Sequence, residues 1–177
     1  MVAPQPLIAR RTLVLGLAGL GGVSLLGCRG RSSSGAADKE AASLKDPKTA
    51  SPAMTVYRDP SCGCCEAWAA EAQGAGYMVS LIDRPDMPAI KTRLGVPDEL
   101  ASCHTAVVGG YVLEGHVPME DVERLLATMP KFFRGLAVAG MPRGSPGMEM
   151  PDGSKDSFNV MAFDQAGRST LFRAVPD

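Results

Sequence analysis

Three cysteines fall within four residues, Cys62-Gly63-Cys64-Cys65, between a β-prone run and a stretch of helix-forming residues. Cys62 and Cys65 alone give a C-x-x-C spacing. At a helix N-terminus, unpaired backbone N–H groups and the helix dipole favour the thiolate form of cysteine. Thiolate attacks disulfides and also binds metal, so this spacing leaves two functions open. One is thiol–disulfide exchange, with Cys62 attacking and Cys65 resolving, and the other is metal binding.

The segments around this cluster predict a mixed fold. From Met54 to Met129 the residue patterns follow the order strand, helix, strand, helix, strand, strand, helix. A cysteine motif between the first strand and the first helix of such a series indicates an α/β, thioredoxin-like domain. After Pro130, a Gly/Pro/Met-rich loop at 140–153 and two strand-like runs predict a C-terminal loop and β-hairpin extension.

The additional cysteine, Cys64, favours metal binding over catalysis. Disulfide exchange needs two sulfurs, whereas a soft metal gains from each added thiolate, and thiolate and thioether ligands select Cu(I). Side chains at i and i+2 point apart on a helix, so we expect residues 62–64 to form a loop around the metal, with Cys65 opening the helix. Clustered thiolates repel one another, and several Cu(I) ions would neutralise a group of them more fully than one Zn²⁺.

Further candidate ligands lie outside this cluster. Cys103 and His104 directly precede a predicted strand, at a point that abuts the C-x-x-C loop in a thioredoxin-like fold. A thioredoxin usually has a cis-proline there, and this chain has a thiol and an imidazole instead. His116 is one of only two histidines, and Met148 and Met150 supply thioethers in the Gly/Pro-rich loop. The predicted metal ligands are Cys62, Cys64, Cys65, Cys103, His104, His116, Met148 and Met150.

The N-terminal segment is typical of an export signal. Arg10 and Arg11 precede an apolar run, 13–26, which is too short to span a bilayer securely. The arginine pair fits either a twin-arginine or a Sec signal. The run ends at Gly27-Cys28, which resembles a bacterial lipobox. We therefore expect Cys28 to be lipidated, giving a periplasmic lipoprotein anchored to a membrane. Cleavage nearby would instead give a soluble periplasmic protein.

Composition limits the partners and the domain count. The net charge is −1 and aromatic residues make up 5% of the chain, which excludes the basic, base-stacking surface of a nucleic-acid-binding protein. Residues rich in Ser, Ala, Gly and Lys, with no apolar period, follow the signal and predict a flexible tether. The predicted organisation is a signal at 1–28, a linker at 29–53 and one copper-binding domain at 54–177.

Four motifs, separated along the chain, all fit the pattern of a single protein family. They are Tyr57-Arg58-Asp59-Pro60-Ser61-Cys62-Gly63-Cys64-Cys65 with Trp68, Ser102-Cys103-His104-Thr105, Glu114-Gly115-His116-Val117-Pro118, and Gly140-Met141-Pro142 with Gly144-Ser145-Pro146-Gly147-Met148-Glu149. Over about residues 54–174 the chain resembles the CopG-type copper-resistance family. The resemblance implies a thioredoxin-like periplasmic domain that binds several Cu(I) ions through its cysteines. It also implies a role in copper redox cycling or export, with copper efflux or chaperone proteins as partners.

Three other interpretations of the residues stay open. In a thiol–disulfide oxidoreductase using Cys62 and Cys65, replacing Cys64 or Cys103 by serine would leave activity largely intact. A structural zinc site of three cysteines and one histidine would make folding depend on metal. Two structural disulfides are the third interpretation, because the expected compartment is oxidising.

Overall fold

The computed structural model describes residues 51–177, so the predicted signal, the Cys28 lipidation site and nearly all of the linker lie outside the described residues. The described elements are β1 (Ala53–Arg58), α1 (Gly63–Gly74), β2 (Met78–Asp83), α2 (Met87–Leu94), a short 3-10 helix (Asp98–Leu100), β3 (His104–Val108), β4 (Tyr111–Glu114), α3 (Met119–Thr128), β5 (Gly135–Ala137), β6 (Phe158–Phe163) and β7 (Ser169–Val175). Within this part of the chain, no helix is both long and apolar enough to cross a membrane.

All seven described strands form one mixed sheet in the order β2-β1-β3-β4-β5-β6-β7. Strand β1 pairs in parallel with β2 and antiparallel with β3, and β3 forms an antiparallel hairpin with β4. This arrangement, with α1 between β1 and β2, confirms the predicted α/β, thioredoxin-like fold. The C-terminal hairpin of β6 and β7 continues the same sheet through β5.

The core follows the period of two that strands impose on their side chains. Val56, Ala106 and Leu113 are register partners across β1, β3 and β4, and all three are fully buried beneath Trp68 of α1 and Leu125 of α3. The alternate residues point to the opposite face of the sheet. There, a second buried cluster is formed by Val96, Leu100, Val112, Ala137 and Phe163.

Strand pairing brings distant parts of the chain to one end of the sheet. Arg58, the last residue of β1, pairs with His104, the first residue of β3. Thr105 in turn pairs with Glu114, the last residue of β4. Because β3 runs antiparallel to both neighbours, the segments after β1, before β3 and after β4 meet at a single edge. The cysteines and histidines of the described residues lie in those three segments, apart from His104, which is the first residue of β3.

Two local expectations differ from the structure. Helix α1 begins at Gly63, so Cys64 lies in its first turn, and the prediction of a loop through Cys64 was wrong. Of the three clustered cysteines, Cys62 alone lies outside the helix, at the N-cap with φ −85° and ψ 98°. Because its backbone is extended, the direction of its side chain is not set by the helical period. Strand β5 was not predicted either, because its three residues are too few to show a period.

Candidate metal centre

Four cysteine sulfurs meet at the N-terminus of α1. The Sγ atoms of Cys62, Cys64, Cys65 and Cys103 all lie within 4.8 Å of one another. Cys62 and Cys65 form a disulfide with their Cα atoms 5.5 Å apart, while Cys64 and Cys103 are free thiols. The Cys64 sulfur lies 3.4 Å from that of Cys62 and 3.8 Å from that of Cys103. Cys64 therefore sits between the disulfide and the remaining thiol.

A buried arginine holds the cysteine turn in place. Arg58 is only 7% exposed and donates from Nη1 to the Cys62 carbonyl oxygen at 3.0 Å. Its guanidinium also forms ion pairs at 2.9 Å with Glu66 of α1 and Asp83 of β2. One side chain thus ties the turn to the first helix and to the neighbouring strand, which orients Cys62 at the end of β1.

Two buried histidines adjoin the last of these sulfurs. The Cys103 Sγ atom lies 3.3 Å from His104 Nδ1 and 3.1 Å from His116 Nε2, and both histidines are fully buried. Cys103, His104 and His116 form a second group whose candidate ligand atoms lie within 4.8 Å of one another. Cys103 belongs to both groups, so the sulfur and nitrogen donors form one continuous cluster.

Both imidazoles are held in the neutral form that ligates metal. Burial, followed by the electrostatic influence of His116 and Lys91, lowers the pKa of His104 to about 3. Burial also lowers the pKa of His116. The Nδ1 atom of His116 lies 2.7 Å from the Pro146 carbonyl oxygen, which can only accept, so the ring proton is on Nδ1. The lone pair on Nε2 then points at the Cys103 sulfur.

His104 has an unsatisfied nitrogen. Its Nε2 is buried without a hydrogen-bond partner, and its ring packs 4.6 Å from that of Trp68, centroid to centroid. Trp68 is itself fixed, because its Nε1 donates to the Val117 carbonyl oxygen at 2.9 Å. The fixed Trp68 ring therefore limits how far the imidazole can rotate, and the Nδ1 edge stays at Cys103.

The methionine loop, residues 140–153, covers the start of α1. Gly147 has φ +77°, and a Cβ there would lie 2.6 Å from the backbone nitrogen of Trp68 and 3.0 Å from the Cys64 carbonyl oxygen. The loop therefore packs directly on the helix turn that carries the cysteines. Met148 is half-buried, and Met150 is exposed at a surface cavity that Lys155 also lines. The metal-ligand role of Met148 and Met150 stays a prediction.

The chemistry of the donor set suits a soft cation. Burial, together with the neighbouring Cys64, raises the pKa of the Cys103 thiol to about 12. Cys103 is therefore protonated at neutral pH, and a cation that binds its sulfur must displace a proton. Within residues 51–177 neither candidate group includes a carboxylate. Thiolates with neutral imidazoles fit thiophilic ions and do not fit Mg²⁺ or Ca²⁺.

Comparison with known proteins places the chain in a family. A family profile described as "Protein of unknown function, DUF411" matches residues 100–148, which include Cys103, His104 and His116. Two solved structures of a copper resistance protein CopG, form 1 and form 2, are 41% and 40% identical to this chain, with TM-scores of 0.66 and 0.67. Each match covers 71% of this chain, and 98% and 99% of the respective CopG chains. The chain belongs to the CopG copper-resistance family. No match was found among curated proteins.

The family membership confirms the resemblance expected from the four motifs. In this CopG-family chain the cysteine and histidine motifs converge on one cluster, and the methionine motif forms its cover. No role was predicted for Arg58, Trp68 or Pro146, although all three lie inside the motifs. Their position beside the cysteines and methionines was the one indication in the sequence that they belong to the site. Their contacts could not be predicted, because these depend on strand pairing and on the packing of the methionine loop.

Proposed function

We propose that this CopG-family domain binds Cu(I) in copper resistance and holds more than one ion in its cysteine–histidine cluster. The observation that carries the proposal is the convergence of four cysteine sulfurs and two neutral, buried imidazoles around Cys103. Two overlapping donor groups offer more positions than one ion needs. The solved relatives are copper resistance proteins, which supports copper over zinc as the ion bound.

The proposed ligands have distinct roles. Cys62, Cys64, Cys65 and Cys103 supply thiolates, and Cys103 bridges the sulfur group to the histidines. His116 offers Nε2 and His104 offers Nδ1, the two nitrogens nearest the Cys103 sulfur. Met148 and Met150 provide thioethers in the covering loop, where they bind Cu(I) without losing a proton and so assist its entry and exit.

Copper capacity in this proposal depends on the redox state of the protein. With Cys62 and Cys65 joined, only two of the described thiols are free. A dithiol reductant transfers two electrons and two protons to the S–S bond, is itself converted to a disulfide, and leaves both cysteines as thiols. Cu(I) then displaces the thiol protons as it binds. The reduced protein is therefore the form that takes up the full copper load.

The test is an anaerobic Cu(I) titration against a competing chelator, with metal analysis. Full-length protein carrying Cys28→Ser is used, so that only the four domain cysteines are counted. We expect the fully reduced protein to bind more than one Cu(I) per chain and the oxidised protein to bind fewer. Less than one Cu(I) per reduced chain contradicts copper binding, and a single Cu(I) per reduced chain contradicts the proposal that more than one ion is held. Retention of a single Zn²⁺ against excess Cu(I) would identify a zinc site.

A second candidate function is supported by the disulfide itself. Cys62 and Cys65 are joined in a C-x-x-C spacing at the N-terminus of α1, as in thiol–disulfide oxidoreductases. Reduction of a disulfide substrate such as insulin distinguishes the two functions. An oxidoreductase loses activity in Cys62→Ser and keeps it in Cys64→Ser and Cys103→Ser. A copper-binding protein instead loses Cu(I) affinity in all three variants.

We also propose that the protein is exported and anchored in the periplasm through lipidated Cys28, with copper efflux or chaperone proteins as its partners. The twin arginines, the apolar run and the lipobox-like ending support this placement. Metabolic labelling with a fatty-acid probe and mass spectrometry of the mature N-terminus test it. We expect a lipid-modified Cys28 in the wild type and no label in Cys28→Ser. An unmodified, soluble periplasmic protein would contradict the anchor.

A further inference from the structure

A buried carboxylate outside the predicted ligand set lies next to the candidate site. Glu114, at the end of β4, is fully buried and accepts hydrogen bonds from two neighbouring elements. Lys91 of α2 donates to its Oε1, and the Thr105 hydroxyl donates to its Oε2 at 2.6 Å. Lys91 also donates to Thr105 Oγ1 at 3.1 Å, which closes the group. None of these side chains belongs to either candidate ligand group.

One further bond links this carboxylate to the cysteine cluster. The backbone N–H of Ser102 donates to Glu114 Oε1 at 2.6 Å, and Ser102 directly precedes Cys103. On the same segment, the Gly115 N–H donates to the His104 carbonyl oxygen at 2.9 Å. The backbone of residues 102–104 is therefore held at both ends by the end of β4 and the turn that follows it.

The segment 102–104 packs closely against the turn after β4, so its backbone has little room to move. Gly115 has φ +68°, and a Cβ on it would lie 2.5 Å from the Ser102 Cβ. The Ser102 hydroxyl donates to the Gly140 carbonyl oxygen, at the start of the methionine loop. With both its N–H and its hydroxyl engaged, Ser102 cannot move without breaking bonds to two different parts of the fold.

A buried ion pair is a weak source of net stability, because desolvation offsets much of the attraction, and an apolar pair of the same shape is often as stable. Unlike an apolar pair, the Lys91–Glu114 pair provides a fixed hydrogen-bond acceptor, Glu114 Oε1, for the backbone N–H of Ser102. That N–H belongs to the residue that leads into Cys103, whose sulfur lies 3.8 Å from Cys64 and 3.1 Å from His116.

We infer that Glu114 is a positioning residue, which sets the place of the Cys103 sulfur through the Ser102 N–H. The inference deepens the proposed copper-binding function, and its copper readout rests on that function. Its geometric readout does not, because it measures the approach of two thiols in protein without metal.

The first readout is cross-linking of Cys64 to Cys103 by dibromobimane, which becomes fluorescent when it joins two nearby thiols. The full chain carries Cys28→Ser, Cys62→Ser and Cys65→Ser, so these two thiols are the ones left. Two double variants are compared in this background. Lys91→Met with Glu114→Gln removes both charges and keeps an acceptor for Ser102, whereas Lys91→Met with Glu114→Met removes the acceptor as well.

We expect cross-linking of the Gln variant to stay within about twofold of the parent, and that of the Met variant to slow about tenfold, because small displacements of reacting groups reduce their effective concentration steeply. With all four domain cysteines restored, the Met variant should bind Cu(I) about 10- to 100-fold more weakly, as expected when a residue that orients ligands is lost. Circular dichroism and Trp68 fluorescence establish that each variant is folded.

Ser102→Pro deletes the same hydrogen bond from the donor side. Ala101, with φ −60° and ψ 139°, already has the backbone conformation that precedes proline. Measured relative to Ser102→Ala, which like it lacks the hydroxyl bonded to Gly140, this variant should slow cross-linking as much as the Glu114→Met double does relative to the parent. Equal cross-linking in the parent, both doubles and Ser102→Pro would overturn the inference. If cross-linking depends on the acceptor but the reduced wild type binds no Cu(I), the positioning role stands and the copper function fails.

Discussion

His116 presents Nε2 to the Cys103 sulfur at 3.1 Å, while its Nδ1 donates to the Pro146 carbonyl oxygen at 2.7 Å. The bond to Pro146 places the ring proton and thereby decides which nitrogen has a free lone pair. Histidines that bind metals commonly have their other nitrogen held in this way. The methionine loop therefore prepares the site through a backbone carbonyl, in addition to any role of its thioethers.

Two replacements of His116 separate these contributions. His116→Asn retains an N–H that can donate to Pro146 but loses the nitrogen at Cys103, whereas His116→Leu loses both. We expect both variants to bind Cu(I) at least about tenfold more weakly, because the proposed function makes His116 a direct ligand. Only His116→Leu should speed proteolysis of the methionine loop in copper-free protein. Wild-type Cu(I) affinity in both variants would exclude His116 as a ligand.

Glycine at position 147 is required by both its conformation and its surroundings. In Gly147→Ala the new Cβ meets the backbone of Trp68 at 2.6 Å, and φ is +77°. We expect a loss of about 2–4 kcal/mol in the free energy of unfolding, measured with urea. Gly153→Ala is the matched control, since it lies in the same loop at φ +73° with nothing within 4 Å. It should cost about 1 kcal/mol. Equal losses would show that docking on α1 contributes nothing.

The buried imidazole of His104 makes stability depend on pH. Its pKa is about 3 in the folded protein, below the ordinary value of 6.5, so the unfolded chain binds a proton that the folded copper-free protein excludes. This contribution to stability is complete above pH 6.5 and is lost as the pH falls from there towards about 3. The burial of His116 acts in the same direction.

Urea unfolding of the copper-free protein across this range measures the effect. We expect His104→Gln to show a shallower loss of unfolding free energy with falling pH, because glutamine does not titrate. The absolute stability of the variant does not matter, since the slope is the readout. Parallel pH profiles for the two proteins would show that His104 is not the group responsible.

Arg173 of β7 forms a bidentate pair with the fully buried Asp121 of α3, at 2.6 to 2.9 Å. Arg173→Ala leaves a buried carboxylate without its main partner, and we expect a loss of about 3 kcal/mol in unfolding free energy. Arg84→Ala breaks the exposed pair with Asp86 and serves as the control, with little change expected. A similar, small effect of both changes in urea unfolding would contradict the special role of the buried pair.

Much of the fold follows from local signals in the sequence. Helix α2, Met87–Leu94, is the second helix of the predicted order, and Gly95 with φ +77° ends it where the apolar period stops. The turn between β3 and β4 occurs at Gly109 and Gly110, which both have positive φ, as a two-residue hairpin requires. These elements depend on a few consecutive residues, so the sequence alone was sufficient.

The parts that were not predicted depend on contacts between distant segments. Strand β5 pairs with β4 through Gly135, which lies so close to the Val112 backbone that a Cβ there would be 1.8 Å from the Val112 carbonyl oxygen. Glu114 was noted only as part of a motif, because its partners come from α2 and from the segment before β3. The cysteine cluster itself was foreseen from spacing and resemblance, but the pairing of Cys62 with Cys65 was left open, because their spacing suits both exchange and metal binding.

The register that sets Arg58 opposite His104 has a consequence for the order of assembly. In an unfolded chain the three cysteines of residues 62–65 stay near one another because they are close in sequence. Cys103 follows Cys64 by 39 residues and approaches it when β1 and β3 pair. The folded scaffold must therefore exist before a complete receptor for the ion does. An ion that bridged both strands would bind the native state in preference to the unfolded chain. It would therefore stabilise the fold by an amount that grows with its free concentration relative to its dissociation constant.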